Sequence, residues 1–161
     1  MSERPTNPSL LDVRNLSTHF VTSEGVFHAV EGLSFHLERG ESLGLVGESG
    51  CGKSTAMLSL LRLLPAAGRI VSGQAFLDGT DLFGIDESDM RAIRWHRISM
   101  IFQGAMNAFN PVRTVGSQIG EALVFHGLAR HLGEAEPRVA ELHEIVGIPG
   151  SRHSQFPHQY S

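Results

Sequence analysis

Lysine is almost absent from this sequence of 161 residues: of its 13 basic residues twelve are arginine, and Lys53 stands alone. Cysteine is as scarce. With only Cys51 no internal disulfide can form, which fits a reducing compartment such as the cytosol. No apolar run approaches the ~18 residues of a membrane span. An excess of positive charge is missing too, and a formal charge of −4 gives no basic footprint for a nucleic-acid partner. The opening MSERPTNPS lacks the apolar core of a signal peptide, so residues 1–9 are expected to form a disordered polar lead-in. The nine histidines contain no H-x-x-x-H on a clear helix face and have one cysteine for company, so no zinc spacing is legible and surface positions are expected for them. What is present, 41% hydrophobic and 7% aromatic residues, suits one soluble domain with a real core.

The densest local signal runs from Leu43 to Leu64, LGLVGESGCGKSTAMLSLLRLL. Gly47, Gly52, Lys53 and Ser54 fit the phosphate-loop pattern G-x-x-x-x-G-K-[ST]. Such a loop must curl tightly enough to aim several N–H groups at one anion, and glycine permits the positive φ this takes. The helix that starts near Gly52 adds its free amides and the positive end of its dipole. Lys53 supplies a mobile point charge for phosphate, and the Ser54 hydroxyl is a hard oxygen ligand for Mg2+. Cys51 lies inside this loop. It reads either as a small side chain tolerated there or as a thiol whose pKa the loop's positive potential would lower.

Around the loop the pattern changes twice. From Leu10 to Leu37 apolar residues alternate with polar ones, predicting a small antiparallel sheet with a turn at Glu24-Gly25. Arg39-Gly40 turns the chain into a strand at Ser42–Val46. After the loop, Met57, Leu60, Leu61 and Leu64 form one helical stripe that Pro65 ends. Ser72–Leu77 reads as a strand and Asp78-Gly79 as a hairpin turn. Asp86, Glu87 and Asp89 precede Arg91, Arg94 and Arg97 in a short helix whose charges match its dipole. Ile98–Phe102 reads as a buried parallel strand. Beyond Gln103 come a loop at Asn107–Pro111 and two helical stripes, Ile119/Ala122/Leu123/His126 and Val139/Leu142/Val146, the second closed by Gly147.

The sheet, GESGCGKST (Gly47–Thr55), MIFQ (Met100–Gln103) and FPHQYS (Phe156–Ser161) occur in this order, and together they resemble the nucleotide-binding domain of ATP-binding cassette (ABC) transporters. GLVGESGCGKST, MIFQGAMNAFNPVRTVGSQI and the final PHQ look like the dipeptide and oligopeptide importer subfamily. The resemblance covers residues 10–161. It implies an α/β fold of the P-loop NTPase type: a RecA-like core, an N-terminal antiparallel β-subdomain, and from about residue 104 part of a helical subdomain. It implies that Gly47, Ser49, Gly50, Cys51 and Gly52 cradle the phosphates of ATP, and that Lys53, Ser54 and Thr55 contact phosphate and Mg2+. It implies that Gln103 is the Q-loop glutamine reaching Mg2+ and the attacking water. Phe20 stands where the family stacks an aromatic on adenine, although a Phe closing the small sheet is a competing reading. The implied partners are transmembrane permease subunits and a second ATP-binding subunit, at the cytoplasmic face of the plasma membrane.

The sequence stops at Ser161, where the family's signature motif is only beginning. The family's later carboxylate-bearing strand and switch histidine have no counterpart in these residues. Asp78 is the nearest substitute and reads better as a turn. The expectation is therefore a chain that holds ATP without hydrolysing it, marginally stable because Ser42–Val46 and Ile98–Phe102 are incompletely covered. Two other functions remain open here, a small P-loop kinase and a non-catalytic module competing for a membrane partner through Gln103–Pro111.

Overall fold

Alternating apolar residues produce two long strands, β1 (Leu11–Thr22) and β2 (Gly25–Leu37), paired antiparallel from Leu11↔Leu37 to Thr22↔Gly25. The computed structural model describes residues 9–102, 104 and 108–160. β3 (Gly68–Leu77) pairs with the other side of β1, and β4 (Thr80–Asp81) folds back on it, giving the order β2-β1-β3-β4. Asp78 (φ 47°) and Gly79 (φ 78°) make the β3–β4 turn; positive φ at both central residues matches the right-handed twist of the flanking strands. The antiparallel sheet is thus as expected, with β3 starting four residues earlier than the Ser72–Leu77 reading.

Helix α1 (Lys53–Leu60) lies on this sheet. Its Ala56 and Leu60 join Leu11, Val13, Leu16, Val30, Ala75 and Leu77 in one core, which Leu82, Met90 and Ile93 complete. Met90 and Ile93 come from α2 (Glu87–Ile93), where Asp86 caps the N-terminus by accepting from Asp89 N–H at 2.9 Å.

Three expectations are corrected here. Helix α1 ends at Leu60 rather than running to Pro65. Arg62 adopts φ 52°, and its N–H bonds Ser59 O while Leu63 N–H bonds Leu58 O, the two bonds of a Schellman ending with arginine in glycine's usual place. The Arg62 guanidinium holds that geometry by donating to Ile85 O at 2.7 Å. Ser42–Val46 forms no strand, and Val46 is 95% exposed. Ile98–Phe102 forms none either: Ile98 makes only an isolated bridge with Arg94, and Ile101 is 92% exposed. A central strand exists only through ladder partners on both sides and cover on both faces, and neither run has a ladder partner among the described residues.

The chain divides into two compact units, one ending at Ser99 and one beginning at Met100. In the second, α3 (Val115–Phe125) and α4 (Leu132–Ile145) pack through Gly120, whose absent Cβ would stand 3.2 Å from Leu132 Cδ2 and 3.5 Å from Ala135 Cβ. The Ile119/Leu123 stripe of α3 faces this small core. The stripe read on α4 is displaced: the buried residues are Ala135, Val139 and His143, whereas Val146 is exposed. His143, expected at the surface, is buried because Val139 O lies 2.8 Å from its Nδ1 and the Tyr160 hydroxyl 2.8 Å from its Nε2.

Candidate functional site

Within the first unit, the glycine loop leads straight into α1. Gly50 (φ 83°) and Gly52 (φ 91°) both take the left-handed conformation, and Gly52 is also the residue preceding the helix. Its φ is not its only constraint: a Cβ there would lie 2.1 Å from Ala29 O of β2. At Gly47 a Cβ would lie 2.6 Å from Cys51 Sγ. At Gly52 the loop backbone therefore approaches the sheet as closely as only glycine allows, while at Gly47 the neighbour is a side chain.

The first intrahelical bond is Ala56 N–H to Gly52 O at 2.9 Å, which leaves the amides of Lys53, Ser54 and Thr55 ahead of the helical ladder. Lys53 bends back over the loop, its Nζ donating to Gly47 O and Glu48 O at 2.6 Å each and approaching Cys51 Sγ at 3.4 Å. Cys51, Gly52, Lys53 and Ala56 line one side of a cleft of about 230 Å3, with Ala29, Val30, Glu31 and Leu33 of β2 and the exposed Leu45 and Val46 opposite. Ser49 and Ser54 are exposed, and Thr55 is half-buried in the first turn of α1. The amides that open α1, the Lys53 ammonium and the exposed Ser54 hydroxyl together supply the kinds of group that a polyphosphate with a hard divalent cation needs.

The other expected site residues are placed differently. Phe20 is half-buried in β1, between Phe27 of β2 and Gly68 of β3, with Gly68's virtual Cβ 3.1 Å from its ring edge; it does not line the cleft. Gln103 falls outside the described residues, as do Asn107, Ser161 and nearly all of the lead-in. Asp78 is occupied as a turn residue: it accepts from Arg39 Nη2 at 2.6 Å and pairs with Arg97, so it offers no free base. In the second unit the PHQY segment is organised by Gln159, whose Oε1 accepts from Phe156 N–H at 2.7 Å, and by Arg152, whose Nη2 donates to Gln159 O at 2.6 Å.

One positioning contact was not legible in the sequence. Ser59 Oγ donates to Thr55 O at 2.7 Å and stands 2.8 Å from Thr18 Oγ1, so a buried polar pair ties α1 to β1. That contact fixes the helix whose N-terminus faces the cleft.

Comparison with known proteins agrees with this geometry. A sequence model of the ABC transporter family matches residues 30–161. The chain belongs to the ABC transporter family. Among curated relatives, the probable peptide ABC transporter ATP-binding protein y4tR of Sinorhizobium fredii is 44% identical over 100% of this chain and 49% of its own length. The dipeptide transport ATP-binding protein DppD of Bacillus subtilis is 43% identical over 94% of this chain and 46% of its own length. The chain thus spans about half the length of the curated relatives it matches. Its fold is that of the ABC transporter cassette MJ0796, with a TM-score of 0.74 at 20% identity, covering 94% of this chain and 63% of that one. ABC membership leaves the small-kinase alternative without support. No helix among the described residues is long and apolar enough to cross a membrane.

Proposed function

We propose that this chain is the ATP-binding part of a peptide-importer ABC subunit, and that Gly47–Thr55 hold the triphosphate of MgATP. The observation that carries the reading is the loop itself: two left-handed glycines, a Gly52 whose Cβ would strike Ala29 O, and the sole lysine at the mouth of α1. The cradle exists because side chains are excluded from it, which fits a polyphosphate and explains why glycine stands there. The amides of Lys53, Ser54 and Thr55 orient the phosphates, and Lys53 Nζ exchanges Gly47 O and Glu48 O for phosphate oxygen. The Ser54 hydroxyl is the metal ligand in this reading, with Gln103 as a second. Bound Mg2+ would neutralise developing charge between the outer phosphates.

Peptide cargo is supported by the similarity to relatives described as dipeptide and peptide transport proteins. The same similarity supports permease subunits and a second ATP-binding subunit as partners, with the protein peripheral at the cytoplasmic membrane face. Water activation needs a base within hydrogen-bond reach, and Asp78, the carboxylate the sequence offered for that role, is held by Arg39 and Arg97. Hydrolysis by these 161 residues alone is therefore not expected.

A single lysine makes the test direct. Acylation by an amine-selective reagent labels Lys53 and the terminal amine, and mass spectrometry separates the two. MgATP slows labelling of Lys53 and leaves the terminal amine unaffected if the reading is right. Equal Lys53 labelling with and without MgATP in folded protein overturns it.

A further inference from the structure

The β1–β2 pair carries a cluster of His19, His28 and Glu31, of which Glu31 alone also lines the cleft beside the glycine loop. His19 and His28 are directly opposed across the strands, their rings stacked with centroids 4.0 Å apart. Glu31 belongs to the same strand as His28, three residues on, and in a regular strand residues that far apart point to opposite faces. Here the register shifts between Thr18 and His19: Val30 pairs with Thr18 and His28 with His19, so Ala29 is the extra residue of a bulge. The bulge brings Glu31 onto the same face as both histidines. Its Oε1 lies 2.9 Å from His28 Nδ1 and pairs with His19 Nε2. The three donor atoms lie within 4.8 Å of one another.

We propose that His19, His28 and Glu31 form a binding site for a divalent first-row transition cation, zinc being the natural occupant. Two imidazole nitrogens converge on one carboxylate oxygen, so three donor atoms of metal-ligating type face one another. Two histidines and one carboxylate form an established zinc donor set, with a fourth position left to water. The tetrahedral site needs donors roughly 3.3 Å apart with bonds of about 2.0–2.1 Å, and the two stacked rings must tilt out of parallel to aim both lone pairs at one ion. Imidazole also favours zinc and copper over magnesium, so the site is chemically distinct from the hard-oxygen Ser54 position. A cation here cross-links β1 to β2 close to the turn that joins them. The helical H-x-x-x-H rule does not detect such a site, because a cross-strand pair is separated in sequence by the hairpin that joins it.

Zinc titration of the chelator-treated full chain tests this, read by competition with a chromophoric chelator. One zinc binds per chain, and His28→Gln and Glu31→Gln each weaken it by at least about tenfold, the lower end of what even a lost supporting partner costs a metal site. His28 and Glu31 side chains are 59% and 56% exposed, so both variants retain the core, which circular dichroism verifies. His126→Gln serves as the control and leaves the affinity unchanged. Cu2+ bound to the chain gives nitrogen hyperfine splitting from two imidazoles, falling to one in His28→Gln. Zinc affinity indifferent to both substitutions, or copper without two-imidazole splitting, overturns the proposal.

Discussion

Thr18 Oγ1 and Ser59 Oγ lie 2.8 Å apart, and neither residue has any exposed surface. Because the Ser59 hydroxyl donates to Thr55 O, the proton between the two oxygens comes from Thr18. Ser59→Ala therefore leaves a buried Thr18 hydroxyl without an acceptor and costs about 1–3 kcal/mol. Thr18→Val removes the donor and leaves Ser59 bonded to its own helix, so it costs less. The double variant falls short of the sum of the two, and urea unfolding of the four proteins measures the coupling.

Gly50 and Gly52 share a left-handed φ but differ in their surroundings. A Cβ at Gly50 meets nothing within 4 Å, whereas at Gly52 it meets Ala29 O at 2.1 Å. Gly50→Ala is expected to cost about 1–2 kcal/mol from backbone conformation alone. Gly52→Ala carries that cost and displaces α1 from β2 as well. The denaturation midpoint falls further for Gly52→Ala, and MgATP binding is lost in that variant before it is lost in Gly50→Ala.

Acid should loosen α2. The Asp89 N–H and the Ser88 hydroxyl hold Asp86 below the usual carboxylate range, and the Arg94 guanidinium does the same for Glu87. A carboxyl depressed in the folded state stabilises it above the unfolded value of roughly 4 and loses that effect as pH falls below it. Stability is flat above about pH 5 on this account and declines below it. Asp86→Asn keeps a capping acceptor without the titration, so its urea midpoint changes less between neutral and acid pH than that of the parent.

Tyr160 is the sole tyrosine, which isolates its ionisation optically. Burial raises its phenol above the ordinary value near 10, against a smaller opposing effect of Arg152. The folded state therefore keeps this proton longer than the unfolded one, and stability declines as pH rises from about 10 through the folded value. Phenolate absorbance should titrate higher in native protein than in concentrated guanidinium. Coincident curves would contradict the burial.

Features set by neighbouring residues were legible in the sequence, and those set by distant ones were not. The phosphate loop, the Asp78-Gly79 turn and the Asp86 cap each depend on a few adjacent residues whose φ preferences or side-chain acceptors determine the outcome. Ser42–Val46 has the composition of a strand, but a strand is made by its ladder partners. The early stop of α1 arises from Arg62, whose guanidinium finds Ile85 O in a segment 23 residues away. Burial of His143 depended on Tyr160, and a polar residue on a helix is read as exposed until its partner is known. Phe20 pairs with Phe27 and Gly68 in the sheet, a place compatible with both the packing and the stacking reading.

Lys53 bridges two carbonyls of the loop that it serves, Gly47 O and Glu48 O. These carbonyls act as internal competitors for the ammonium, so the loop's affinity for an anion is the difference between two sets of contacts. The same tether keeps the loop folded around its charge, so an arriving phosphate meets an assembled cradle and an exchange equilibrium at one nitrogen. Selectivity follows from that exchange: an anion too poor in charge to outbid two amide oxygens leaves the lysine where it is.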